Sequence, residues 1–162
     1  MTRSRYHLRR DIARLVVEQL HDVFGDDAQK LVPPGAALEA AEGEWESRLV
    51  LVAGKPLILT WEGHYFPTLR GAQLMGSQRR RVVVDMGAVP YVTNGAHVMG
   101  PGILEADPTI APGELVVVVD QRHGKALAIG KALVAGGEMP GNKGRAVLNL
   151  HHVGDRLWNL EL

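Results

Sequence analysis

The sequence predicts an α+β protein of two units, a helix-led unit with hairpins over residues 1–76 and a small closed or nearly closed barrel of short strands over residues 77–162. Three observations carry this. Leu8, Ile12, Leu15, Val16, Leu20 and Val23 recur at three- and four-residue steps, the stripe of an amphipathic helix. From Arg81 onward, short β-rich runs alternate with turn dipeptides at regular spacing. The texture changes between them, and the boundary is expected near Met75 to Gln78.

Taken in order, the helix comes first, and Gly25 supplies its C-terminal stop. Pro33-Pro34-Gly35 and the acidic run Glu39, Glu42, Glu44 and Glu46 are expected to form a loop. Arg48 to Ala53 and Pro56 to Trp61 read as strands around a hairpin turn at Gly54-Lys55, and Glu62-Gly63-His64 as a second turn leading to Tyr65-Phe66-Pro67. In the second unit the expected strands are Val82 to Asp85, Leu115 to Asp120, Ala126 to Val134, Arg145 to His151 and Arg156 to Leu160. Asn94-Gly95, Pro112-Gly113, His123-Gly124, Gly136-Gly137, Gly141-Asn142 and Gly154-Asp155 are the turns between them. Val116 to Val119 lacks polar alternation, as a central strand covered on both faces requires.

Composition narrows the function. Over 162 residues, 46% are hydrophobic and 22% charged, an ordinary globular balance. No run reaches the ~18 apolar residues of a membrane span, no apolar signal region follows Met1, and no membrane partner is expected. Cysteine is absent, so neither disulfides nor thiolate metal sites are available, and a cytoplasmic setting fits. Lys and Arg total 18 against 18 Asp and Glu, so any polyanion must be held by local patches rather than bulk charge. Such sorting is visible: Arg3, Arg5, Arg9, Arg10 and Arg14 crowd the N-terminus, and Gln78-Arg79-Arg80-Arg81 is a basic tetrapeptide.

Catalytic patterns are not found. Gly95 to Gly102 lacks both the Gly-Lys-Ser/Thr of a P-loop and the Gly-x-Gly-x-x-Gly of a dinucleotide site. His151-His152 reads as packing or hydrogen bonding, because neighbours on a strand face opposite ways and do not readily share one ion. Asp85 reads as a cap for a following helix ahead of a catalytic carboxylate. No nucleophile constellation can be argued from spacing, so no catalytic residue, metal or cofactor is assigned and an enzyme is the weaker reading.

The stretch Val82-Val83-Val84-Asp85-Met86-Gly87-Ala88-Val89, then Asn94-Gly95-Ala96, Val98-Met99 and Pro101-Gly102-Ile103, resembles the signature of a PUA domain. The likeness continues through Gly113 to Val118, Ala128-Ile129-Gly130-Lys131, Gly144 to Val147 and His151 to Trp158. The first unit, with its helix and Gly63-His64-Tyr65-Phe66-Pro67-Thr68-Leu69, is similar to the pre-PUA domain of archaeal relatives of the malignant-T-cell-amplified-sequence proteins. This resemblance covers essentially the whole chain. It implies an archaeal source and a PUA pseudobarrel of mostly antiparallel strands that recognises structured RNA, tRNA or small-subunit rRNA, in translation initiation or ribosome recycling. The implied partners are the small ribosomal subunit and a density-regulated-protein-like protein. The alternative it leaves is a non-catalytic RNA-targeting subunit of a tRNA-modifying enzyme of the archaeosine transglycosylase or pseudouridine synthase type.

The resemblance implies an RNA face made by the segment from Gly95 to Ile103 together with the last strand at Leu157-Trp158. Gly95 and Ala96 let a sugar-phosphate chain approach bare backbone whose N–H groups can donate to phosphate, or else they serve the barrel's own turns. His97, Val98 and Met99 continue that segment, and Gly100, Pro101 and Gly102 either join it or turn a barrel corner. Arg79, Arg80, Arg81, Lys125, Arg145 and Arg156 are the expected phosphate cations, with Arg122, Lys131 and Lys143 nearby. Trp158 either fills a core or stacks on a base. In a third reading, the Arg-rich helix and the acidic run at Glu39 to Glu46 dock a protein partner.

Overall fold

A computed structural model describes residues 2–43 and 48–162. Contacts divide the chain into two units, Met1–Ser77 with Leu160–Leu162, and Gln78–Asn159.

In the first unit the apolar stripe from Ile12 to Val23 lies on α1 (Arg10–Phe24), which buries Val16, Leu20 and Phe24 and ends at Gly25, in a positive-φ conformation; Leu8 precedes the helix and Leu15 is exposed, against expectation. A 3₁₀ turn (Gly25–Asp27) and α2 (Ala28–Leu31) follow. Ahead of the helix lies β1 (Thr2–His7), which no apolar pattern announces, because it is an edge strand of polar residues. It pairs antiparallel with β2 (Leu38–Gly43), so Glu39 and Glu42 stand on a strand and not in the expected loop. Arginines on either side of β2 stabilise them there, Arg5 Nε on β1 to Glu39 at 2.8 Å and Arg48, just before Leu49, to Glu42 at 2.9 Å. Glu44 and Glu46 lie outside the described residues.

β3 (Leu49–Val52) and β4 (Lys55–Trp61) form the expected hairpin, but the tight turn falls on Ala53-Gly54, with φ of 49° and 83°. Two successive left-handed residues are the geometry that matches the twist of flanking strands, and glycine takes the second at no steric cost. β5 (His64–Pro67) completes a meander in the order β1-β2-β3-β4-β5. Thr68 then caps α3 (Leu69–Met75) by accepting the Gly71 N–H at 3.3 Å. That helix was not foreseen, since seven residues are too short to show a stripe. The Phe24 and Phe66 rings meet in this unit's core with centroids 5.4 Å apart.

The second unit is a six-stranded, nearly closed sheet. It contains β6 (Arg81–Val84), α4 (Val89–Thr93), β7 (Val98–Met99), a 3₁₀ turn at Gly100–Gly102, β8 (Ile103–Ala106), β9 (Leu115–Asp120), β10 (Ala126–Ala132) and β11 (Arg145–His152). The order is β7-β11-β10-β9-β6-β8. Only the β6–β9 pair is parallel, and α4, β7 and β8 make the crossover that a parallel pair needs. Register shifts where β10 meets β9 and β11 bend the sheet toward closure. β9 is buried from end to end, as its uninterrupted valines require, with Val116 and Val118 in one core with Val82, Val84, Val98 and Val147. Each such valine contributes roughly 1.5–3 kcal/mol by leaving water.

The expected strand at Arg156 to Leu160 does not form; the chain turns there instead. Asp155 is the cause. Its carboxylate accepts the Trp158 N–H at 2.8 Å and the His152 N–H at 2.9 Å, and lies 2.8 Å from His151 Nδ1. An acid accepting an N–H three residues ahead starts a helical turn and defeats a strand. Burial pushes the Asp155 carboxyl up, but the His151 ring and the Trp158 and His152 N–H groups outweigh it and hold it below the usual carboxylate range.

Asp155→Ala leaves two N–H groups and a buried imidazole without their acceptor. It should cost about 2–3 kcal/mol, a fall of roughly 5–10 °C in the thermal midpoint at neutral pH. Because the native carboxyl titrates low, its stabilisation is complete above about pH 4 and is lost as pH falls through its lowered native value. Melts repeated from neutral to acid pH should therefore show the gap between wild type and variant closing at the acid end.

Candidate functional site

The glycine-rich segment is fastened at both ends. Asp85 Oδ1 accepts the Ala88 N–H at 2.8 Å, forming the turn before α4, while the Asp85 N–H donates to Gly102 O at 3.0 Å. Asp85 is thus occupied in bracing the turn that leads into α4, and the helix's own N-cap position is Ala88, which has no side-chain cap, in place of the expected Asp85. On α4, Val92 points into the barrel core and Tyr91 out into solvent, 70% exposed.

After α4 the chain runs along β11. Asn149 holds it there: the Asn149 side-chain amide donates to Val92 O and Ala96 O, each at 3.0 Å, and its backbone N–H donates to His97 Nδ1 at 3.0 Å. His152 Nδ1 sits 3.1 Å from Thr93 O and 2.9 Å from Val153 O, which makes it a donor to both. Farther along, Val98 pairs with Val147 and Met99 with Arg145. The segment from Thr93 to Met99 therefore tracks β11 from His152 to Arg145.

Gly95 has a structural reason and a consequence. Its φ is 93°, and a Cβ there would lie 3.0 Å from His152 Nε2. The Gly95 N–H donates to Val92 O and the Ala96 N–H to Tyr91 O, at 3.1 and 3.0 Å. These donors close the end of α4, which corrects the expectation that they are free for phosphate. What remains accessible is the exposed Ala96 and His97 surface.

Beyond it, Val98 is buried in the core, Met99 is 46% exposed and Pro101 is exposed, while Gly102 is half-buried. Gly100 is buried, and a Cβ on it would stand 1.9 Å from Asn142 O; its N–H donates to Gly144 O at 3.0 Å. Gly100 is thus a close backbone crossing and part of the barrel corner.

The basic tetrapeptide does not make one patch. Arg79 is exposed, but Arg80 donates to Glu114 Oε2 at 2.7 Å and to Leu115 O at 3.0 Å, and its side chain is 17% exposed. Arg80 joins β6 to β9, so it does not serve as the expected phosphate cation. Arg81 is half-buried and donates to Gln78 Oε1. Lys125, Arg145 and Arg156 are exposed; Trp158 is half-buried in the turn governed by Asp155. His151 and His152 serve separate partners, and among the described residues no group of three or more His, Asp or Glu could hold a metal ion. Tyr91 and Asn149 were missed: Asn149 has no local signature, and Tyr91 shows outward only once α4 is seen to bury Val92.

The barrel is a PUA domain: residues 80–154 match that family. At 35% identity covering 98% of both chains, the protein is similar to an uncharacterised protein of Methanocaldococcus jannaschii. It is 30% identical to translation machinery-associated protein 20 of Saccharomyces cerevisiae, over 85% of this chain and 80% of that protein. A crystal structure of a hypothetical protein from Pyrococcus horikoshii superposes with a TM-score of 0.88 at 35% identity, covering 96% of this chain and 98% of that one. The chain belongs to the family of translation machinery-associated protein 20 and the malignant-T-cell-amplified sequences.

Two substitutions separate fold from surface. Gly100→Ala drives a methyl into the Asn142 carbonyl and should cost about 2–3 kcal/mol, read as a lower midpoint in chemical unfolding. Arg80→Glu places a carboxylate against Glu114 and should lower that midpoint too, whereas Arg145→Glu should leave it within about 0.5 kcal/mol.

Proposed function

We propose that this protein binds structured RNA, tRNA or small-subunit rRNA, in translation initiation or ribosome recycling, through the surface running from Tyr91 to Arg145. The observation that carries this reading is the exposed pair of Met99 and Arg145, facing each other across β7 and β11, continued by exposed His97, Ala96 and Tyr91. An aromatic ring, an apolar thioether and an exposed guanidinium along one edge offer base stacking and phosphate attraction together. The PUA match and the relatives named for the translation machinery support the same reading. Those relatives are named for association and not for a reaction, which favours binding over catalysis. Contact with the small subunit and with a density-regulated-protein-like partner belongs to this proposal.

The test is a gel-shift titration with unfractionated tRNA and a small-subunit rRNA fragment at low salt. Tyr91→Ala should weaken binding by about 1–3 kcal/mol if a base stacks there. Arg145→Glu should lower the slope of log affinity against log salt by about 1. Unchanged affinity in both variants removes this face from the proposal.

A further inference from the structure

The second unit carries nine Lys and Arg residues, and their pairing is uneven. Arg80 is bonded to Glu114 and Arg81 to Gln78, while Arg79, Lys131 and Arg156 each have partners as well. Arg122, Lys125, Lys143 and Arg145 are exposed, and among the described residues none of their side chains is engaged in a hydrogen bond or ion pair. These four fall into two pairs. Lys143 and Arg145 stand at the start of β11, beside Met99. Arg122 and Lys125 form the tip of the β9–β10 hairpin, at the opposite end of the same strands.

The tip is shaped by a buried acid. Asp120, 5% exposed, accepts the His123 N–H at 2.5 Å, and its own carbonyl accepts the Gly124 N–H at 3.1 Å. Burial pushes the Asp120 carboxyl up, but the His123, Lys125 and Arg122 N–H groups and the His123 ring outweigh it and keep it low. Asp120 is therefore a carboxylate whose charge is spent inward on the turn's own N–H groups. Gly124, at φ of 63°, packs directly on Arg81, whose guanidinium would meet an added Cβ at 2.9 Å. Gln121, Arg122, His123 and Lys125 are all left exposed on this braced turn.

The position of the tip matters as much as its charge. Val153 donates to Leu127 O and His152 pairs with Ala128, so the tip projects just beyond the His152 end of the track that Thr93 to Met99 makes along β11. At ~3.3 Å per residue, Lys125 and Arg145 are about 25–30 Å apart, with exposed Tyr91, Ala96 and His97 between their levels.

We infer that the β9–β10 tip is a second contact for the sugar-phosphate backbone, so that full affinity requires an RNA long enough to reach from Arg145 to Lys125. With ~2.8 Å per base-pair step in an A-form RNA stem, that reach is about nine to eleven base pairs. The inference rests on the RNA-binding reading above, and goes beyond it by setting a minimum length and naming the residues that impose it. Cations that neutralise phosphates add affinity regardless of sequence, which suits a surface that reads shape.

The test uses the full chain and two fluorescein-labelled RNA hairpins with one loop sequence and stems of about four and about twelve base pairs, read by anisotropy over a salt series. Arg122→Glu/Lys125→Glu should weaken binding to the long stem about tenfold and lower its salt slope by about 2, while leaving the short stem unchanged. Arg122→Gln/Lys125→Gln, with a smaller loss in the same pattern and an unaltered melt, guards against a folding defect. Equal loss on both stems overturns the length requirement, and no loss on either overturns the tip. Absence of wild-type binding to either stem overturns the RNA-binding reading itself.

Discussion

The second unit depends on the fastening of an irregular segment to a regular strand. β7 is two residues long, too short to hold an edge by ladder bonds alone. Asn149 and His152 take over that task. One amide side chain satisfies the carbonyls of Val92 and Ala96, one imidazole satisfies Thr93, and the backbone of Asn149 engages His97. The chain leaving α4 thereby becomes a rigid edge instead of a loose loop. Rigidity of this kind lowers the ordering cost of any partner that lies along it.

Charge follows the same division between holding the fold and facing outward. A formal net charge of zero conceals cations of two kinds. Arg80 spans Glu114 and the carbonyl of Leu115, half-buried, where it orients strands. Arg5 and Arg48 do similar work for the acids of β2. An exposed ion pair such as Arg48–Glu42 adds little free energy, so its role is chiefly register and loop placement. Arg145 and Lys125 are exposed and, among the described residues, their side chains have no such task. Bulk charge would not distinguish these groups; their neighbours do.

The glycines illustrate how one residue type serves different constraints. Gly95 accommodates a left-handed backbone and the His152 ring, and Gly100 a carbonyl from Asn142. Neither leaves an open patch of bare N–H groups. The side-chain-poor stretch is economical because the barrel is crowded there, and the surface it exposes is made by its neighbours Ala96, His97 and Met99. Under the proposed RNA-binding reading, recognition through such an edge would depend on side chains from α4 and β11 as much as on the glycines themselves.

Much of the architecture was legible in local pattern. The stripe from Ile12 to Val23, the valine run of β9, and the strand starts at Ala126 and Arg145 are each written within about a dozen residues, because burial imposes its period on neighbours in sequence. Short elements escaped: β1 has no apolar face, α3 is seven residues long, and β7 and β8 are too brief to alternate. The strand expected at Arg156 failed because one carboxylate, Asp155, outweighs a run of strand-forming neighbours. The site was legible only in outline. Periodicity and turn chemistry pointed to two units, while the place of the segment from Gly95 to Gly102 in a site came only from the resemblance to a PUA domain. Only the tertiary structure decided that Asn149 reaches His97 across 52 positions, that Arg80 is consumed by Glu114, and that Tyr91 stands in solvent. Contacts between residues so distant in the chain depend on where strands pair, and no local period records that.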